Sequence, residues 1–155
     1  MLNREQIAAR IALELQNGES VYLDPAWAAP IKAALAPGVQ ITEPKPGEAV
    51  DLSVIAATAV AHGGEFSSGP LPHESKRILV VLEQHQGDDG SMHVIESIVP
   101  ATGKAHRVIT NLAVFDVSAE GLVMREVAQG ISGLDVQLKS DTALLAADDL
   151  RVIHV

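Results

Sequence analysis

The sequence predicts an α/β protein built on a mostly parallel sheet. Three observations carry this. Helical and short apolar patterns alternate through the first third of the chain, as they do in βαβ units. "RILVVLE" (residues 77–83) is apolar almost without interruption, as expected of a strand covered on both faces. Glycine- and proline-bearing turn signals separate the apolar runs along the rest of the chain. A chain of 155 residues fits one domain, residues 1–155, and can bury a real core.

The elements follow in order. Asn3 caps a first helix, with Gln6 as its capping-box partner. Ile7, Ile11 and Leu15 recur at i, i+4 spacing beside Ala8 and Ala12, which gives one apolar face, and Gly18 ends the run. Residues 20–23 form a short strand. Asp24 and Pro25 open a second helix, although Pro30 moves its start toward Pro30 itself, and Pro37-Gly38 stops it. "VQIT" (39–42) and "VDLSVIA" (50–56) read as two strands, the second prolonged by the alanine-rich residues 57–61. Gly63-Gly64 is a turn and residues 65–67 a short strand. After "RILVVLE", the turn "QGDDGS" leads into "MHVIESIV", whose alternation predicts a strand returning antiparallel. "LAVFDV" and "LVMREVA" pair as a hairpin around residues 119–121. "GISGLDVQLKS" starts a short helix near Ser132 or Leu134. The tail "LRVIHV" is a last strand, which needs a partner because an open edge invites association.

Composition narrows the function. The formal net charge of -9 argues against binding a phosphate backbone, and four aromatic residues are too few for base-stacking platforms. No nucleic-acid partner is expected. With no cysteine, thiolate metal sites and cysteine nucleophiles are excluded. Nothing resembles a signal peptide or a membrane span, so the expectation is a cytoplasmic protein without a membrane partner.

One stretch poses a problem. Parallel neighbours need a crossover of about a dozen residues or more, yet only "EPKPGEA" joins residues 39–42 to residues 50–56. The residues around it resemble a known family. "NREQIAARIALELQNGESVYL", "VDLSVIAATAVAHGGEFSS", "KRILVVLEQHQGDDGS" and "PATGKAHRVITNLAVFDVSAEGL" are similar, in this order, to the β subunit of two-subunit 3-oxoacid CoA-transferases (coenzyme A transferase family I). The resemblance runs from Asn3 to about Thr142. It implies a three-layer α/β/α fold and a partner α subunit. It also implies ping-pong transfer of coenzyme A through a glutamyl thioester, whose glutamate lies in a Ser-Glu-Asn-Gly stretch.

The chain departs from that pattern where the family has its active site. A Gly-Ile-Gly-Ile-Pro-like loop is replaced by "LDPAWAAPI". The Ser-Glu-Asn-Gly stretch is absent, and "EPKPGEA" reads as the closed gap it left. A glycine-rich segment is reduced to "GPLPHE". The expected fold is therefore CoA-transferase-like, trimmed of its active-site segments.

The remaining residues offer little chemistry. Glu43 is the acidic residue nearest the lost nucleophile and the weak catalytic candidate. It precedes Pro44 rather than Asn-Gly, so a solvated turn carboxylate is the favoured reading and no catalytic residue is assigned. No cofactor-binding residue is identified. His62, His73, His85, His93, His106 and His154 show no His-x-x-x-His spacing. His85 and His93 flank a turn and face each other across it, but two histidines without a third ligand do not make a metal site. "GDDG" is a hairpin tip rather than a calcium loop. Trp27 plugs vacated space as a packing anchor, and Lys76 and Arg77 point to solvent.

The leading functional reading is a non-catalytic assembly or regulatory subunit, pairing with a CoA-transferase α subunit or with itself as a homo-oligomer. A transferase or thioester hydrolase rebuilt around Glu43 or Glu48, and a small-molecule binding module, are the alternatives. No resident cofactor is expected; a coenzyme A thioester would be a substrate of the active alternative.

Overall fold

The computed structural model describes all 155 residues. Its first helix, α1 (Arg4–Ala12), starts where the capping box predicts. The Asn3 side chain accepts the Gln6 N–H at 2.8 Å, and the Gln6 side chain accepts the Asn3 N–H at 3.0 Å. Strand β1 (Val21–Leu23) follows. Asp24 and Pro25 then open a turn rather than a helix, and α2 (Ala28–Ala33) has Pro30 in its first turn, where a missing N–H costs nothing. The chain continues through β2 (Val50–Ala56), β3 (Ala59–Ala61), β4 (Glu65–Ser67), β5 (Ser75–Leu82), β6 (Val94–Ile95), β7 (Gly103–Lys104), β8 (Arg107–Thr110), β9 (Ala113–Ser118) and β10 (Gly121–Val127). It ends with α3 (Gly133–Leu138), capped by Ser132, and β11 (Leu145–Val152).

Seven strands form the main sheet in the order β1-β2-β5-β8-β9-β10-β11. The pairs β1/β2, β2/β5, β5/β8 and β10/β11 are parallel; β8/β9 and β9/β10 are antiparallel. The predicted α/β fold with a mostly parallel sheet is borne out, and so is the hairpin of β9 and β10. A smaller sheet, β6-β3-β4-β7, lies on one face.

Three layers result. Helices α1 and α2 bury Ile7, Ile11, Trp27 and Ile31 against Val21, Leu52, Val54, Leu79 and Val81 on one face. On the other face the small sheet and α3 bury Val60, Phe66, Val94 and Val136 against Ile55, Val80, Leu82, Val108 and Phe115. Residues of β5 alternate between the two cores, which is why its sequence is apolar at successive positions. No helix is long and apolar enough to cross a membrane.

Two predicted strands differ. Residues 39–42 form no strand. Thr42 alone pairs with Ser20, in parallel, on the outer edge of β1. Its N–H donates to the Glu19 carbonyl at 2.8 Å, and its carbonyl accepts from Val21 N–H at 2.9 Å. The next ladder bond would run from the N–H of residue 44 to the Val21 carbonyl, and Pro44 has no N–H to give. Since β1 lies between Thr42 and β2, the two apolar runs are not neighbours. The crossover between parallel neighbours is the α2 segment, from β1 to β2. Residues 92–99 also fall short of a strand returning antiparallel. Only Val94–Ile95 pairs, parallel to β3, because β3 itself spans only Ala59–Ala61. Residues 59–61 do not prolong β2 but cross into the small sheet.

Candidate functional site

Ligands of open α/β sheets sit outside the carboxyl ends of the strands, so the site is built from the residues just past β1, β2 and β5. Asp24 is the first residue past β1. Its backbone N–H donates to the Val54 carbonyl at 2.9 Å. One carboxylate oxygen accepts the Ala26 N–H and the other the Ala56 N–H, both at 3.0 Å. Asp24 thus ties the end of β1 to the end of β2 and shapes the turn into α2.

That turn drives Trp27 inward, where it is 2% exposed among α1, α2 and the sheet. The Arg4 guanidinium lies 4.1 Å from the Trp27 ring centroid, a cation–π contact. Arg4 also donates to Glu83 at 2.9 Å, just past β5, and to the Ala26 carbonyl. Arg4, Asp24, Trp27 and Glu83 therefore close the region over the carboxyl ends of β1 and β5. Beside this closure is a recess of about 530 Å³ bounded by Ala57, Thr58, Leu82, Glu83, Gln84 and His93. Its polar groups are already engaged: Thr58 donates its hydroxyl to the Ser67 carbonyl, and the His93 Nδ1 bonds the Gln84 carbonyl at 2.8 Å.

Glu43 lies elsewhere. It follows Thr42 at the amino-end level of β1, not at the carboxyl end of a strand, and it forms an ion pair with Lys32 of α2 while 58% exposed. Both line a cleft of about 520 Å³ along the outer edge of β1, with Tyr22, Pro44, Pro46 and His73. Tyr22 and His73 pack with ring centroids 5.2 Å apart. Burial, with help from the Asp24 charge, pushes the Tyr22 phenol above its ordinary value. Glu48 spends its carboxylate on the Lys45 N–H at 2.6 Å. Neither glutamate reaches the carboxyl-end recess.

The histidines scatter. No three His, Asp or Glu side chains are grouped to hold a metal ion. His85 and His93 do flank a hairpin closed by the Gln86–Met92 bridge, but each ring bonds other groups. His85 is fully buried. Thr110 Oγ1 accepts the N–H groups of Leu112 and Ala113, so its proton goes to His85 Nδ1 at 3.1 Å. Ser140 donates its hydroxyl to the Val136 carbonyl, so it accepts from His85 Nε2–H at 2.7 Å. The bond pattern demands a neutral imidazole, and burial, with smaller contributions from His93 and Lys139, lowers its pKa to about 4.

Sequence reasoning misses Arg10. Its guanidinium is buried and forks onto Glu126 of β10 at 3.0 and 2.7 Å, with Glu14 at 3.4 Å. Glu14 also holds Arg107, which pairs with Asp116, which pairs with Arg125. Burial lowers the Arg10 pKa, but its carboxylate partners outweigh that and the net shift is upward. The one local signal is Glu14 four residues on. Lys76 and Arg77 are solvent-facing as expected and meet Asp51 and Glu19.

A CoA-transferase fold is what this architecture matches among solved structures. The acyl-CoA transferase YdiF from Escherichia coli O157:H7 superposes with a TM-score of 0.80 at 16% identity, over 98% of this chain and 43% of that one. Glutaconate coenzyme A-transferase from Acidaminococcus fermentans gives 0.70 at 13%, over 99% and 89%. The decarboxylase AibA/AibB gives 0.74 at 15%, over 98% and 88%. A decarboxylase on the same fold shows that the fold alone does not fix the reaction. In sequence, the chain is 26% identical over 111 residues to the B-type subunit of succinyl-CoA:3-ketoacid coenzyme A transferase from two strains of Helicobacter pylori, covering 61% of this chain and 54% of each relative. It spans about half the length of these curated relatives. No family model matches it. The resemblance to CoA-transferase β subunits is thus borne out by these homologous subunits and by fold.

Proposed function

We propose that this chain is a CoA-transferase-fold subunit that acts by assembly, with an α-type subunit or with itself, and forms no glutamyl–coenzyme A thioester. The observation that carries the reading is the closure over the strand carboxyl ends by Arg4, Asp24, Trp27 and Glu83. A covalent site needs a carboxylate, room for the thioester and an oxyanion donor together. Here Glu43 is held by Lys32 at the sheet edge, Glu48 by its own turn, and Pro25 and Pro30 supply no N–H to an oxyanion. A coenzyme A thioester enters as substrate only under the opposing reading of a rebuilt transferase.

The test is intact mass before and after incubation with acetoacetyl-CoA, with borohydride trapping, followed by acetoacetyl-CoA plus succinate with and without a cognate α subunit. An unmodified chain in every arm is the expected result. A trapped product mapped to Glu43 or Glu48 makes the protein a rebuilt transferase and ends the assembly-only reading.

A further inference from the structure

The main sheet has two edges. The β1 edge is partly covered by Thr42 and the linker behind it. The β11 edge is open, and apolar exposure gathers around it. Of the large hydrophobic side chains left exposed, Leu134, Leu138, Leu145, Val152 and Val155 all come from α3, β11 and the residues just beyond. An open strand edge beside exposed apolar side chains is a template for pairing.

We infer that β11 is the docking edge for a second copy of this chain, antiparallel across a two-fold axis at Leu150, so that two main sheets join into one. The inference deepens the assembly reading above and rests on it. The backbone sets the register. Ile153 N–H donates inward to the Val127 carbonyl. Backbone groups of a strand alternate sides, so those of Asp148, Leu150 and Val152 point outward. A two-fold axis at Leu150 therefore makes Leu150 face its own copy, and Asp148 face Val152 of the second copy, as hydrogen-bonded pairs.

That register sets Asp149 opposite Arg151 of the second copy, twice by symmetry. Both side chains lie on the helix-covered face. Within one chain they already meet at 3.2 Å, and Ile153, which alternation places on that face, is buried in the helix-side core. They form the closely spaced, non-hydrogen-bonded pair, in which opposite charges attract most strongly. A one-residue slip would break the pairing of like faces. On the other face, Leu150 meets its symmetry mate beneath α3, whose Gly133 lies against Leu150 and whose Leu134 and Leu138 are 66% and 68% exposed. Charge complementarity and apolar exposure both fit a second copy.

The experiment is sedimentation equilibrium of the full chain across micromolar concentrations. The expected species has twice the 16.3 kDa chain mass. Asp149→Arg alone and Arg151→Glu alone each place like charges opposite each other at two points and raise the dimer dissociation constant about tenfold or more. The double exchange, Asp149→Arg with Arg151→Glu, restores it. Asp148→Pro removes an outward donor without touching a residue paired with β10, and yields a folded monomer by circular dichroism. A monomeric wild type overturns the inference, as does a dimer indifferent to all four variants or an association seen only with an α-type chain. The mass measurement reads the thioester chemistry separately, so failure of this edge and failure of the non-covalent reading are distinguishable.

Discussion

His85 couples folding to pH in a window where few other groups titrate. Its ring joins the segment after β5 to Thr110 at the β8–β9 turn and to Ser140 just beyond α3. Protonating Nδ1 sets a second donor against the Thr110 hydroxyl and places charge in the core. The folded pKa of about 4 lies below the ordinary 6.5, so the unfolded chain binds more protons than the folded one between these values. Stability is therefore complete above pH 6.5 and falls as pH drops toward 4. At 1.36 kcal/mol per unit, the loss by pH 4.5 is about 2.5 kcal/mol. The assay is urea unfolding at pH 7.5, 6.0, 5.0 and 4.5 for wild type and His85→Gln, whose amide can still donate to Ser140. The variant is less stable at pH 7.5 because it fills the site poorly, but its stability declines by about 2 kcal/mol less over the same range. Two results refute the reasoning: equal pH slopes in both proteins, or an NMR titration of the His85 ring near 6.5.

Two further outcomes concern the buried groups. Arg10→Met leaves Glu126 without its buried partner and costs about 2–4 kcal/mol in chemical denaturation; an unchanged unfolding midpoint would show that the ion network on α1 contributes nothing. Trp27 is the single tryptophan, so its emission reports the closure directly. It is expected to be blue-shifted and barely quenched by iodide, whereas Arg4→Ala opens the ring to quencher; strong quenching of the wild-type protein would mean the strand ends are open.

Local signals are legible where a short stretch decides its own structure. Asn3 with Gln6, Ser132, the hairpin of β9 and β10, and the two-sided apolar run of β5 all take the form their sequences imply. So does Trp27 as a packing anchor. What is not legible depends on partners distant in sequence. Arg10 looks like any charged helix residue until Glu126, far along the chain, folds against it. In sequence His85 pairs most naturally with its neighbour His93, while in the fold Thr110 and Ser140 hold it. Glu43 falls at a strand end only if residues 39–42 are a strand, and they are not.

That difference identifies what Pro44 does. "VQIT" has the composition of a strand, and its end does begin a parallel ladder on β1 with two good hydrogen bonds at Thr42. Extending the ladder requires the one donor that a proline lacks, at the one position where the Val21 carbonyl needs it. The pairing stops, Glu43 turns out toward Lys32, and residues 43–49 are free to pass over the edge of β1 to the start of β2. A chain with an N–H at residue 44 could carry the ladder along the rest of β1 and would then have to return from its carboxyl end. That return is the crossover that seven residues cannot supply. The short linker is therefore not a strained substitute for a crossover, but a consequence of a strand ended after one pair.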